Sequence, residues 1–157
     1  MYAHPLRLAP GDDLRGAVEA ALHRHAWPAA FVVQGIGSLS VAQVRFAGLD
    51  APTELRGDLE ILTLGGSLSP DGAHLHVALS DARGQVIGGH LAHGSIVRTT
   101  AELLVAVLPE QRFSREHDAA TGFMELRIAP RDTSPGVEGT PARAWKARTS
   151  GSLSGRS

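Results

Sequence analysis

Apolar residues recur with helical spacing near the start of the chain. They occupy positions i, i+3, i+4, i+7 and i+8, which lie on one face of an α-helix: Leu14, Ala17, Val18, Ala21 and Leu22. Asp12 precedes this pattern and belongs to the residue types that cap helices. Pro28 sets the latest point at which the helix can end. One amphipathic helix is therefore predicted between Asp12 and Pro28.

Short runs rich in Val, Ile and Leu, separated by Gly, Pro, Asp and Ser, are typical of β-strands. Such runs are found at 2–8, 30–35, 38–46, 55–64, 74–79, 86–91, 100–108 and 124–128. Segment 103–108 is continuously apolar, so a buried helix is the alternative there, although we favour a strand. The predicted fold class is α+β, with one long, largely antiparallel sheet and one main packed helix.

The segment HLHVALSDARGQVIGGH predicts a hairpin that gathers histidines. His74 and His76 alternate with apolar residues, so both point to one face of a strand. A three-residue loop, 82–84, with its glycine in the left-handed conformation pairs Asp81 with Gln85. In that register His90 lies directly across from His76, with Cβ atoms ~4.5–5.5 Å apart.

Three converging imidazoles with an open fourth position form a ligand set that Zn²⁺ takes in many proteins, and Fe, Ni or Cu also accept it. We therefore predict a divalent metal, zinc first, at His74, His76 and His90. The alternative is a polar sheet face whose histidines are hydrogen-bonded or lie at a subunit interface. A two-residue loop would instead turn His90 away and bring His93 to this face.

Two glutamates interrupt apolar runs, Glu60 in LEILTL and Glu102 in TTAELLVAV. Burial raises the pKa of a carboxyl group unless a cation pairs with it, and Arg56 and Arg98 are the nearby candidates. Both glutamates and both arginines are predicted either to form buried or interface ion pairs or to support the metal site.

Composition narrows the possible functions. The chain of 157 residues suits one domain, and the absence of cysteine excludes disulfides, thiolate metal ligands and a cysteine nucleophile. The start has no signal-peptide pattern and no segment resembles a membrane span, so we expect a cytoplasmic protein. No nucleotide-binding glycine loop and no serine-hydrolase elbow occurs, and no catalytic residue can be assigned.

Charge is divided unevenly along the chain. Residues 1–130 carry 10 Lys and Arg against 14 Asp and Glu, which disfavours strong non-specific DNA binding. Residues 131–157 carry 5 against 2 and are rich in Ser, Gly, Pro and Arg, without hydrophobic periodicity. We expect a domain over 1–130 followed by a mobile tail, partly docked through Trp145.

The stretch RGDLEILTLGGSLSPDGAHLHVALSDARGQVIGGHLAHGSIVRTTAELLV resembles the core of the PPC (plants and prokaryotes conserved, PD1-like) family. The resemblance extends through VVQGIGSLSVAQVR and RFSREHDAATGFMELRI, and so covers residues 1–130. It implies a homotrimer and a DNA-associated or regulatory role. Some prokaryotic relatives bind metal at the histidines that correspond to His74, His76 and His90.

The resemblance leaves two functions open. The basic AT-hook of plant relatives, to which DNA contact is chiefly credited, is missing here, although Arg143, Lys146 and Arg148 make the tail basic. The leading interpretation is a trimeric DNA-binding or regulatory protein with a three-histidine metal site. The alternatives are a metal-dependent enzyme or small-molecule binder, in which Glu60 or Glu102 assists as a base, and a structural module that only assembles.

Overall fold

The structure, a computed structural model, describes residues 1–132. One helix and eight strands follow one another along this part of the chain: β1 (Tyr2–Leu8), α1 (Leu14–Arg24), β2 (Ala30–Arg45), β3 (Thr53–Ser69), β4 (Gly72–Ser80), β5 (Val86–Leu91), β6 (Ile96–Val107), β7 (Gln111–His117) and β8 (Met124–Pro130). Of the predicted tail, 131–157, all but the first two residues lie outside the described residues. Strand β8 ends at Pro130, and the domain boundary at residue 130 stays a prediction.

Six strands form an antiparallel sheet in the order β1-β6-β2-β3-β4-β5. Strand β5 also pairs with the end of β2, where Val44 faces Leu91 and Arg45 faces His90. The pairing of the long strands β2 and β3 shifts register after Leu39, and a bulge of this kind allows strands to bend. Strands β2 to β5 therefore form a closed ring, and β6 and β1 extend it on one side.

Helix α1 packs on the sheet through its predicted apolar face, with Leu14, Val18 and Leu22 almost completely buried. Its N-cap is Asp13, not Asp12 as the sequence predicted, because the Asp13 side chain accepts a hydrogen bond from the Gly16 amide at 3.1 Å. The Asp12 carboxylate turns back and accepts from the Ala9 amide. The helix ends at Arg24, four residues before Pro28.

Residues 103–107 of the apolar segment 103–108 lie in strand β6, so the helical alternative was wrong. Strand β6 pairs with β1 on one side and β2 on the other, which occupies its backbone groups on both edges. Its residues alternate, with Leu103, Val105 and Val107 buried in the core and Leu104 exposed. This alternation of burial is a property of strands and not of helices.

Two further predictions need correction. The predicted strands 30–35 and 38–46 form the single strand β2, and β8 does not join the main sheet. It pairs with β7, which the sequence did not predict, in a separate two-stranded sheet. Strand β7 has a mostly polar sequence, QRFSREH, and buries Phe113 against Phe31, so it lacks the alternation that identifies most strands.

Within residues 1–132, no helix is long and apolar enough to cross a membrane.

Candidate metal centre

The turn between β4 and β5 fixes the position of the candidate site. The amide of Asp81 donates to the Gln85 carbonyl at 3.0 Å, and the Asp81 carboxylate accepts from the amides of Arg83 and Gln85. Gly84 has a φ of +77°, the left-handed conformation that a three-residue loop requires. The predicted loop is confirmed and the two-residue alternative is wrong.

The hairpin register brings the three histidines together. His76 faces His90 directly, and His74 lies one same-face step along β4. Nε2 of His74 is 3.1 Å from Nε2 of His76 and 3.1 Å from Nδ1 of His90. Among the described residues, these three side chains form the group that could hold a metal ion, with ligand atoms all within 4.8 Å of one another.

The spacing of the ring nitrogens fits a shared cation. Three nitrogens bound at about 2.0–2.1 Å to one tetrahedral zinc lie about 3.3 Å apart, close to the two 3.1 Å separations at His74. Hydrogen bonding explains them less well. A neutral ring nitrogen carries either one hydrogen or one lone pair. Nε2 of His74 can therefore form a good hydrogen bond with only one of its two neighbours, Nε2 of His76 or Nδ1 of His90. A cation at the centre satisfies all three nitrogens.

The surroundings of His74 and His90 favour neutral imidazole, the form that binds metal. Burial is the main cause that lowers the pKa of His74 from 6.5 to about 4, and the positive charges of Arg115, His76 and His90 add to it, whereas Glu125 opposes it. The pKa of His90 is also lowered, first by burial and then by His76 and Arg45. Protons therefore compete less with a metal here than at a free imidazole.

Gly89 precedes His90 and leaves no room for a side chain. A Cβ at this position would lie 2.6 Å from the Arg45 carbonyl and 2.9 Å from the Val44 side chain. A larger residue would push β5 away from β2 and displace His90 with it. Glycine at position 89 is thus explained by the close approach of two backbones at the closure of the strand ring.

A cleft of about 650 Å³ opens beside His74 and His90. Charged side chains reach it from three separate elements, namely Arg15 of α1, Arg45 of β2 and Glu125 of β8. Its walls include apolar residues of β4, β5, the start of β8 and the turn before β8: Leu75, Leu91, Met124 and Phe123. Sequence reasoning missed this set, because no local pattern reports that β2 pairs with β5 or that β8 packs nearby.

The other predicted site residues lie elsewhere. Arg56 pairs with Glu54 at 2.6 Å and Arg98 with Asp58 at 3.0 Å, so neither neutralises Glu60 or Glu102. Both of these glutamates are exposed in the single chain, and the prediction of buried ion pairs is wrong. A role at a subunit interface stays a prediction.

His93 does not join the cluster. Its Nε2 lies 3.1 Å from the Glu19 carboxylate, on the helix. His93 is exposed, as His76 is, but lies outside the cluster, which makes it a useful control residue for His76.

Comparison with known proteins places this architecture in a family. The sequence matches the model of the Plants and Prokaryotes Conserved (PCC) domain over residues 1–109. Two bifunctional GlmU proteins from Synechococcus strains are 50% and 47% identical over 127 and 128 residues. The chain spans about a fifth of the length of these curated relatives.

Solved structures agree with the sequence match. A hypothetical protein from Salmonella enterica is 39% identical with a TM-score of 0.81, and the match covers 83% of this chain and 94% of that one. A metal-containing protein from Archaeoglobus fulgidus is 30% identical with a TM-score of 0.70, covering 80% and 92%. A candidate DNA-binding protein from Ralstonia eutropha is 26% identical with a TM-score of 0.70, covering 80% and 90%. This chain belongs to the Plants and Prokaryotes Conserved domain family.

Proposed function

We propose that this protein binds one divalent transition metal per subunit through His74, His76 and His90. The observation that carries the proposal is the convergence of three ring nitrogens, two pairs of which are 3.1 Å apart. Zinc is the first candidate because it favours imidazole ligands and tetrahedral sites, and iron and nickel are the alternatives. The description of the Archaeoglobus fulgidus relative as metal-containing supports it.

Three protein ligands leave a coordination position open, which is typical of metal sites that bind small molecules or act as Lewis acids. A bound metal would polarise an oxygen atom of a ligand at this position. The cleft beside His74 and His90 gives such a ligand access from solvent. We therefore favour a role in which the metal centre binds a small molecule.

The test is the metal content of the full-length protein, purified without an affinity tag and measured by elemental mass spectrometry. We expect close to one zinc, iron or nickel atom per 16.5 kDa subunit. Protein that contains no metal, and binds none after dialysis against zinc, iron or nickel salts, would contradict the proposal and return the histidines to a structural role.

We also propose that the protein is a homotrimer assembled through the outer face of the sheet. Four large apolar side chains are exposed there on three adjacent strands, at exposed fractions of 43–56%: Val33, Ile36, Leu62 and Leu104. Glu60 and Glu102 are exposed on β3 and β6 near these residues, paired in register with Ser38 and Ile36. An apolar patch rimmed by charged residues is typical of a protein interface.

Ile36→Asp is expected to dissociate the assembly, since a carboxylate in the buried centre of an interface is left without a partner. Light scattering coupled to gel filtration should give three times the 16.5 kDa chain mass for the wild type and a lower mass for the variant. The control is Val86→Asp, which places the same charge at an exposed valine of β5. A monomeric wild type, or equal masses for both variants, would contradict the proposal.

DNA binding is the second candidate, favoured by the description of the Ralstonia eutropha protein. The acidic balance of residues 1–130 weighs against it, whereas residues 131–157 carry more basic than acidic residues. An affinity for duplex DNA that falls steeply with salt, and weakens when 131–157 is removed, would support this candidate. Absence of binding at low salt would eliminate it.

A further inference from the structure

A guanidinium group lies beside the three histidines on the same face of the strand ring. Arg45 is paired directly with His90 across β2 and β5, and residues paired in this way project their side chains to the same face. The positive charge of Arg45 acts on the His90 ring, and both residues line the 650 Å³ cleft. The chain therefore brings a fixed cation next to the candidate metal centre.

The two arginines that line the cleft, Arg15 and Arg45, differ in the number of hydrogen bonds that their side chains already make. Arg15 donates to the Glu19 carboxylate and to the carbonyls of Ala73 and Leu91, so it ties α1 to β4 and the end of β5. Within residues 1–132, the Arg45 side chain makes a single hydrogen bond, from Nη1 to the Leu49 carbonyl at 3.2 Å. Its Nε and Nη2 groups are left to contact a ligand.

The remaining walls of the cleft indicate what kind of ligand fits. Phe123, in the turn before β8, and Met124, at the start of β8, are 71% and 57% exposed in the single chain, and both line the cleft. They provide apolar surface in the same cleft as the charged side chains of Arg45 and Glu125. Glu125, on the same strand, disfavours a second negative charge on the ligand at that end of the cleft.

We propose that the cleft binds a small organic acid with one oxyanionic group and an apolar body. The oxyanion contacts the Arg45 guanidinium and the open position of the metal centre, and the body packs against Phe123 and Met124. Carboxylate is an acceptor for both groups, because guanidinium binds it with charge-assisted hydrogen bonds and divalent metals coordinate its oxygens. This inference rests on the metal centre proposed above and assigns it a ligand class.

Benzoate is a suitable probe, with benzyl alcohol as the uncharged match and inorganic phosphate as the oxyanion without an apolar body. The protein is loaded with Co²⁺, whose visible absorption changes when a ligand enters its coordination sphere, and binding is followed by titration. We expect benzoate to change the spectrum and to saturate, and benzyl alcohol to leave it unchanged. Tighter binding of phosphate than of benzoate would overturn the assignment of an organic acid.

Arg45→Gln is expected to weaken benzoate binding at least about tenfold, the effect of losing a charge-assisted hydrogen bond. Arg45→Lys should retain part of the benzoate affinity. Arg56→Gln removes an exposed arginine that pairs with Glu54, and it should bind benzoate as tightly as the wild type. Full cobalt loading of Arg45→Gln shows that its fold and histidines are intact. Equal benzoate affinity in Arg45→Gln and the wild type would overturn the inference.

The same titration separates the two proposals. Wild-type protein that binds no cobalt contradicts the metal centre and with it the ligand site. Wild-type protein that binds cobalt stoichiometrically, but whose spectrum does not respond to benzoate or phosphate, contradicts only the ligand site.

Discussion

His76→Ala is expected to lower the metal content of the purified protein from about one atom per subunit to almost none. His76 is the exposed member of the cluster, so its removal takes away one of three ligands without leaving a cavity in the hydrophobic core. Loss of a residue that only supports a ligand typically costs about 10–100-fold in metal affinity. Loss of a ligand itself should therefore exceed about 100-fold, measured by competition with a chelator of known affinity.

His93→Ala is the matched control. It removes an exposed imidazole close in sequence, but one that contacts Glu19 and not the cluster. Its metal content should equal that of the wild type, and both variants should show wild-type circular dichroism. Equal metal content in His76→Ala and His93→Ala would place the metal elsewhere in the protein.

Gly66→Ala is expected to destabilise the fold by about 4 kcal/mol and to disturb the histidine cluster. Gly66 has a φ of +152°, and a Cβ there would lie 2.0 Å from the His74 carbonyl oxygen and 2.9 Å from the Leu75 Cα. These are backbone atoms of the paired strand β4, so the clash cannot be relieved by a change of rotamer. Urea denaturation measures the loss, and metal content reports the displacement of His74.

Gly57→Ala is the control that distinguishes the cost of the steric clash from the cost of the positive φ. Gly57 also has a positive φ, +126°, but a Cβ at this position would meet no atom within 4 Å. Its expected cost is about 1–2 kcal/mol, from backbone strain alone. Both variants need the same protein concentration, since the stability of an oligomer depends on it. Equal destabilisation by the two substitutions would contradict the steric argument.

The histidine cluster could be predicted because every step of its construction is local. The spacing of His74 and His76 fixes their common face, and the turn residues Asp81 and Gly84 fix the hairpin register that brings in His90. The distance along the chain between His76 and His90 is short, and one turn decides their pairing. The same local reasoning identified helix α1 and the strands of the main sheet.

Residues that depend on distant pairing could not be predicted. Arg45 reaches His90 only because β5 closes back onto β2, and that pairing joins residues 45 positions apart in the chain. Glu125 and Phe123 reach the cleft from β8 and from the turn before it, and β8 pairs with β7, whose polar sequence did not predict a strand. The expected partners of Glu60 and Glu102 were wrong within the single chain, because Arg56 pairs with Glu54 and Arg98 pairs with Asp58.

The sequence by itself determined the helix, most of the strands, the hairpin register and the three histidines, because periodicity and turn chemistry act over a few residues. The tertiary structure alone decided that the strands close into a ring, that a second small sheet packs beside it, and that a cleft with Arg45 and Glu125 opens at the histidines. These features follow from packing between segments far apart in the chain, which no local pattern encodes.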